Sequence, residues 1–276
     1  MKVVLHDLLN KYGTIEFIYS CFTLSLFTVC ALVFFEWLCW DKKWTERLTK
    51  TPILRKMYLQ AVWTNMFHYF VIGPLSYAFA VIMCLELGDS NPDYISVPGV
   101  LLTQAVGYAL AHSFMHIPSN YWMHKFHHSY NEKTFVRPIA ANSTTVAEFL
   151  VAYAVPIVTG IIAFRPRVKV VFYIVSSISF TNLCIHTPMD FLNMKWAPDW
   201  LITNDKHFNH HEKDLRMHYS APIFDLDYVL GIGMKRFTNV KSTEKVDPDT
   251  PAVSAAATQK NTASTTRTRA RNTGSK

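Results

Sequence analysis

The run of nineteen residues from 17 to 35 (FIYSCFTLSLFTVCALVFF) contains no charge, and it restricts this chain more than any other feature. Crossing the roughly 30 Å hydrocarbon core of a bilayer takes about 20 helical residues, and a helix that is apolar on all sides offers no face to water. The run reads as an uncleaved first membrane span. A secretory signal does not fit, because the apolar stretch is too long and bulky residues stand where a small-residue cleavage site would be.

Residues 57–85 are also free of charge and carry Gly73 and Pro74 in the middle, which predicts a kinked span or a helical pair. Further candidate spans are 97–116, and a hairpin of 149–164 and 170–186 that turns at Arg165, Pro166, Arg167 and Lys169. Composition agrees with a membrane protein: half of the residues are hydrophobic and 17% are charged, against about 25% in soluble chains. The five cysteines, Cys21, Cys30, Cys39, Cys84 and Cys184, lie in or beside apolar stretches with no CxxC pair, so they read as free thiols.

The formal charge of +7 invites a nucleic-acid reading, but no basic-aromatic recognition motif is present and the positive charges flank the apolar segments. Membrane topology explains them better. The segment 41–56 holds Lys42, Lys43, Arg47, Lys50, Arg55 and Lys56 against Asp41 and Glu46, whereas the loop 86–93 has three acids and no base. The positive-inside rule therefore makes the first of these cytosolic. The basic turn at 165–169 would then fall on the far side, against the rule, unless the 149–186 hairpin is re-entrant. Beyond residue 241 the chain is rich in Ser, Thr, Ala, Lys and Arg, too polar to offset its ordering entropy, so 241–276 is expected to be a disordered basic tail.

Three histidine clusters follow one spacing grammar: His112 and His116 in HSFMH, His124, His127 and His128 in HKFHH, and His207, His210 and His211 in HFNHH. On a helix, residues three and four apart share a face. Pro118 should end the first helix, and Asn120 is a candidate cap for a short second one. Neutral imidazole suits iron, zinc, copper and nickel, and a mononuclear site takes three or four protein ligands, so eight imidazoles point to two metal ions. A carboxylate-rich pair would need ExxH motifs, which are absent. His186, at the end of an apolar segment (NLCIHTPMDF), is expected to join the clusters. His6 and His68 read as packing residues, and His218 stands open between ligand and bystander. If 97–116 returns across the membrane and 149–186 goes out and back, all three clusters face the cytosol; a re-entrant hairpin gives the same result.

The order HxxxH, HxxHH, HxxHH among membrane spans resembles the sterol desaturase and fatty acid hydroxylase superfamily, over roughly residues 95–232. NLCIHTPMDF is similar to the extra histidine region of its sterol methyl oxidases. The resemblance implies an all-α integral membrane protein of the endoplasmic reticulum, with about four transmembrane helices and a cytosol-facing histidine-rich helical cap. Residues 1–240 would form its membrane-embedded catalytic domain. It implies two iron ions held by His112, His116, His124, His127, His128, His207, His210 and His211, with His186 as a ninth ligand. It also implies O2 as co-substrate and a C–H bond of a sterol or fatty acyl lipid as the target of hydroxylation or desaturation. Electrons would come from a separate donor such as cytochrome b5, because no haem-binding HPGG element is present. The chain departs from the family pattern in HSFMH, with Gln104 where an acid is expected, and in Met217, His218, Tyr219 and Ser220 after the last box. A carotenoid hydroxylase or aldehyde-forming relative carries the same boxes. From another class, a membrane metal transporter would place its ligands near the midplane of its spans rather than at span ends.

Overall fold

The computed structural model describes residues 6, 10, 14–131, 134–212, 219 and 222–231. All of these fall in one compact unit, Met1–Phe237, and the expected basic tail at 241–276 lies outside the described residues. They form α1 (Thr14–Leu38), α2 (Lys42–Lys50), α3 (Pro52–Glu86), α4 (Asp93–Met115), α5 (Val146–Phe164), α6 (Val168–Ile185), α7 (Asn204–Glu212) and α8 (Leu226–Val229). Among the described residues the sole β-type pairing is an isolated bridge between Leu201 and Phe224.

Five of these helices, α1, α3, α4, α5 and α6, are long and apolar enough to cross a membrane, against the four or so expected. The extra one comes from the 149–186 hairpin, both arms of which reach spanning length. Large apolar side chains such as Trp63, Leu75, Leu110 and Tyr173 are exposed on their outer faces, as a lipid-facing surface requires and a water-facing one does not tolerate in such numbers.

Gly73 and Pro74 do not divide residues 57–85 into two helices. α3 runs continuously through them, with a π-helical turn at His68–Ile72 just ahead of Pro74. α5 repeats the device, with a π turn at Phe149–Ala154 ahead of Pro156. Proline cannot donate to the carbonyl four residues back and its ring crowds that carbonyl. A widened turn absorbs the misfit without breaking the helix.

α4 and α5 pack closely because glycine lets them. A Cβ on Gly107 would lie 2.7 Å from the Pro156 Cβ, and one on Gly99 would lie 2.3 Å from the Phe164 ring. Such small-residue contacts replace the hydrophobic drive that lipid does not supply between helices. At the far end of α5, Arg165 takes a left-handed conformation (φ 40°) and its carbonyl accepts from the Asn91 N–H at 3.0 Å. Arg167 Nε donates to Asp93 at 2.9 Å. The basic hairpin turn thus lies beside the acidic start of α4 and pairs with it through Arg167 and Asp93.

Between α4 and α5 the chain forms an irregular cap. A buried ion pair ties this cap to α1: Arg137 Nε donates to Glu36 Oε1 at 2.9 Å, and the Ile139 N–H donates to Glu36 Oε2 at 3.2 Å. The Arg137 guanidinium also lies 4.5 Å from the Trp44 ring. α2 seats the Trp44 side through its own N-cap, in which the Trp44 N–H donates to Asp41 Oδ1 at 2.6 Å. Its buried residues are Trp44 and Leu48, and its lysines point outward.

Candidate metal centre

The first histidine box occupies the last turn of α4, where His112 is helical and His116 forms the C-cap. The second departs from the expected helix. Pro118 follows the end of α4; His124 is the C-cap of a 3-10 turn at Tyr121–Met123, and His127 and His128 lie on a second at His127–Ser129. Asn120 stands at the N-cap position of the first turn but makes no side-chain cap: its Oδ1 accepts from the Ser119 hydroxyl at 3.2 Å and its Nδ2 donates to the Phe114 carbonyl at 3.3 Å. The third box does lie on an α-helix, α7, whose first residue is tied down when Asn204 Nδ2 donates to the Thr187 carbonyl at 2.9 Å. That bond sets α7 next to His186.

The nine imidazoles come together in two groups. His112, His116, His124, His128 and His210 offer nitrogens within 4.8 Å of one another, and so do His127, His186, His207 and His211. Each HxxHH box is divided in the same way. The i, i+4 pairs His124/His128 and His207/His211 each stay in one group, while His127 and His210 cross to the other. The groups adjoin, with the His128 and His211 ring centroids 4.8 Å apart.

Several outer nitrogens are held by acceptors. His112 Nδ1 pairs with the Tyr219 carbonyl at 2.8 Å, His186 Nδ1 with the Asn182 carbonyl at 2.8 Å, and His211 Nδ1 with the Tyr130 carbonyl at 3.0 Å. His124 Nδ1 pairs with Glu148 Oε1 at 2.7 Å. Carbonyl and carboxylate oxygens only accept, so these four rings carry their proton on Nδ1 and turn an Nε2 lone pair inward. Metal-binding histidines are oriented by such outer partners.

The inner nitrogens lack protons enough to satisfy one another. His207 Nε2 lies 3.0 Å from His186 Nε2 and 3.1 Å from His211 Nε2. Two of these three atoms are lone pairs, and the third can donate only one proton. His116 Nε2, His124 Nε2, His127 Nδ1 and both nitrogens of His128 are buried with no hydrogen-bond partner. Buried polar atoms in this number are expected to be paired, and a cation at each focus supplies what protons cannot. The arrangement fits two metal ions.

Burial keeps the rings neutral. It pushes His116 and His186 down to about 4. Burial, reinforced by neighbouring imidazoles, holds His124, His127, His128, His207 and His211 well below the usual range. At neutral pH these rings are therefore in the form that binds metal.

Some contributors escaped the sequence reading. Glu148, 1% exposed, orients His124, and Thr145 places it by accepting from the Glu148 N–H at 3.1 Å and donating to the Met123 carbonyl at 2.7 Å. The sequence signal was a single acid at the edge of an apolar run. Asn182 and Tyr130 act through backbone carbonyls, which leave no trace in residue type. His6 is exposed and pairs with Asn10 at 2.8 Å, outside both groups. His218 lies outside the described residues. His68 is buried but joins neither group, and it lines a cavity instead.

That cavity, about 510 Å³, lies among α1, α3, α5 and α6. Most of its wall is apolar, including Leu24, Leu75, Phe79, Ile157 and Ile178. Both π turns contribute to it, through His68, Tyr69 and Ile72 of α3 and through Phe149, Leu150 and Tyr153 of α5. Asn182, whose carbonyl holds His186, also faces it.

A family model described as fatty acid hydroxylase matches residues 97–231, just under half of the chain. No curated protein and no solved structure matches the chain. The matched segment contains all nine histidines of the two groups.

Proposed function

We propose, from the match of residues 97–231 to the fatty acid hydroxylase family model, that this chain is a member of that family and oxidises an unactivated C–H bond of a sterol or acyl lipid with O2 at a pair of irons. The observation that carries this reading is the five-and-four division of nine histidines, eight of them buried and His116 half-buried, with inward, unsatisfied nitrogens beside a mostly apolar cavity. His112, His116, His124, His128 and His210 would hold one iron, and His127, His186, His207 and His211 the other. Such ions, when bound, supply the redox chemistry of O2 that no side chain can perform.

The protein's own residues supply geometry and exclusion of water. Glu148 and the carbonyls of Tyr130, Asn182 and Tyr219 fix ring orientation and tautomer. The apolar cavity delivers a lipid carbon from the bilayer without passage through water. Hydroxylation places one oxygen atom in the C–H bond and releases the other as water, with two electrons drawn one at a time from a reductant and two protons from solvent. Desaturation uses the same inputs and releases both oxygens as water.

The reductant in this reading is a separate acidic protein such as cytochrome b5. The outer face of α2 and the start of α3, carrying Lys42, Lys43, Lys50, Arg55 and Lys56, all exposed, is complementary to it. With that face in the cytosol, the protein is a multi-pass enzyme of the endoplasmic reticulum with its site on the cytosolic side. Residues 1–240 then form the catalytic domain, and 241–276 a basic tail.

Lipid profiling of cells with and without the chain, alongside a His127→Ala control, tests the reading together with the iron content of the purified protein. A new oxidised lipid that the control lacks, with two irons per chain, is expected. Protein without iron, or lipid oxidation unaffected by His127→Ala, overturns it. Metal flux into vesicles without an oxidised product would establish a transporter instead.

A further inference from the structure

We propose that His68 accepts a hydrogen bond from the O–H of a lipid alcohol bound in the cavity, so that the substrate is a hydroxyl-bearing lipid rather than a carboxylate or an ester. The inference rests on the lipid-oxidising reading and narrows it.

His68 is 1% exposed and sits in the α3 π turn, where it lines a mostly apolar wall. Its Nδ1 faces the Asn142 carbonyl at 3.1 Å. That oxygen can only accept, so the ring proton resides on Nδ1 and Nε2 is left as a lone pair. Nε2 is buried and has no partner. An unanswered buried acceptor is destabilising, and the ligand that relieves it must bring a donor. A lipid alcohol has one. An ionised fatty acid, a fatty acyl ester and a hydrocarbon have none.

Neighbouring groups hold the ring still. Asn142 Nδ2 donates to the Tyr69 hydroxyl at 2.7 Å, and Asn182 Nδ2 donates to Asn142 Oδ1 at 3.2 Å. The imidazole stacks on Phe149, with centroids 5.2 Å apart and planes 12° from parallel. His68 is thus fixed in position and tautomer, with one acceptor to offer.

Its location also sets which end of the lipid is oxidised. Phe149 follows Glu148, which orients His124 of one histidine group. Asn182, bonded to Asn142, holds His186 of the other. The polar end of the cavity is therefore the end nearest the imidazoles, and Leu75 and Phe79 of α3 line it farther along that helix. A lipid anchored by its hydroxyl at His68 presents a carbon close to that hydroxyl.

Binding to the iron-loaded full chain in detergent tests this with cholesterol and 1-hexadecanol as probes, each paired with its O-methyl ether, and with palmitate. At least one alcohol is expected to bind about 3- to 10-fold more tightly than its ether, the range of a single hydrogen bond, and palmitate weakly. His68→Phe, which keeps a ring on Phe149 but offers no acceptor, is expected to erase that preference while iron content stays unchanged. In turnover, oxygen is expected near the hydroxyl. Equal binding of alcohol and ether, no binding of either alcohol, a preference that survives His68→Phe, or oxidation at the remote end of the lipid overturns the proposal. The alcohol-to-ether comparison in the unaltered protein needs no variant to fold. Absence of iron would count against the oxidase reading and not against the acceptor.

Discussion

Two clusters of polar side chains are buried in this protein, and they are satisfied to different degrees. Around Glu36 and Arg137 the charges answer each other. The guanidinium meets a carboxylate at 2.9 Å, the second carboxylate oxygen accepts from Ile139, and the face of Trp44 lies against the cation. Around the nine histidines four outer nitrogens, those of His112, His124, His186 and His211, are paired and many of the inner ones are not. The first cluster is complete as a fold element, fastening the cap to α1. The second is held from outside at four of its rings and leaves inward nitrogens that protein donors do not satisfy, which is what a metal-binding set of imidazoles requires. Burial alone would not separate them, since both are almost wholly inaccessible.

The largest expected effect comes from the histidine cluster. His127→Ala and His211→Ala should each lower product formation by at least about 100-fold, the upper limit of what an outer partner costs, with loss of bound iron by metal analysis and little change in melting temperature. If melting collapses while residual activity per folded molecule is normal, the cluster is structural like the other one and the contrast fails.

Next comes the ion pair. Arg137→Leu leaves the Glu36 carboxylate buried without its partner, so stability in denaturant titration should fall by about 3–5 kcal/mol. The double variant Glu36→Leu/Arg137→Leu should recover part of that loss, short of the starting value because the Ile139 N–H remains unpaired. Iron content of the folded fraction should be unchanged in both.

Glu148→Gln sits between the two clusters in character. It keeps the shape and an acceptor oxygen but removes the charge that orients His124, so iron affinity or activity should fall about 10- to 100-fold. A titration of iron into the stripped protein measures it. An unchanged affinity would show that the carboxylate merely fills space.

The smallest effect is reserved for Arg167→Ala. Its pair with Asp93 is exposed at the opposite end of α4, and exposed pairs contribute little. Melting temperature and iron content should both be unaltered.

Much of this was legible in the residues because it depends on local composition. The apolar runs 17–35 and 57–85 became α1 and α3 in the places expected, and Pro74 marked an irregularity even though the chain met it with a π turn instead of a break. The histidine boxes announced themselves by spacing. The reading of the second box as an α-helix did not survive. Spacing of three and four is compatible with 3-10 turns as well, and the compact cap leaves no room for a longer helix after Pro118. Glu36 and Arg137 are 101 residues apart, and no periodicity connects them.

The sequence alone determined that this chain spans a membrane as helices and carries two metals' worth of imidazoles, because hydrophobicity and helical spacing are properties of neighbours along the chain. Only the tertiary structure decided which histidine joins which group, since His112 meets His210 across 98 residues and His186 meets His207 across 21. It also decided that His68, an ordinary packing residue by sequence, stands in an apolar cavity with its acceptor unanswered. Such pairings follow from how helices cross, and crossing is fixed by contacts between distant segments such as Gly107 against Pro156.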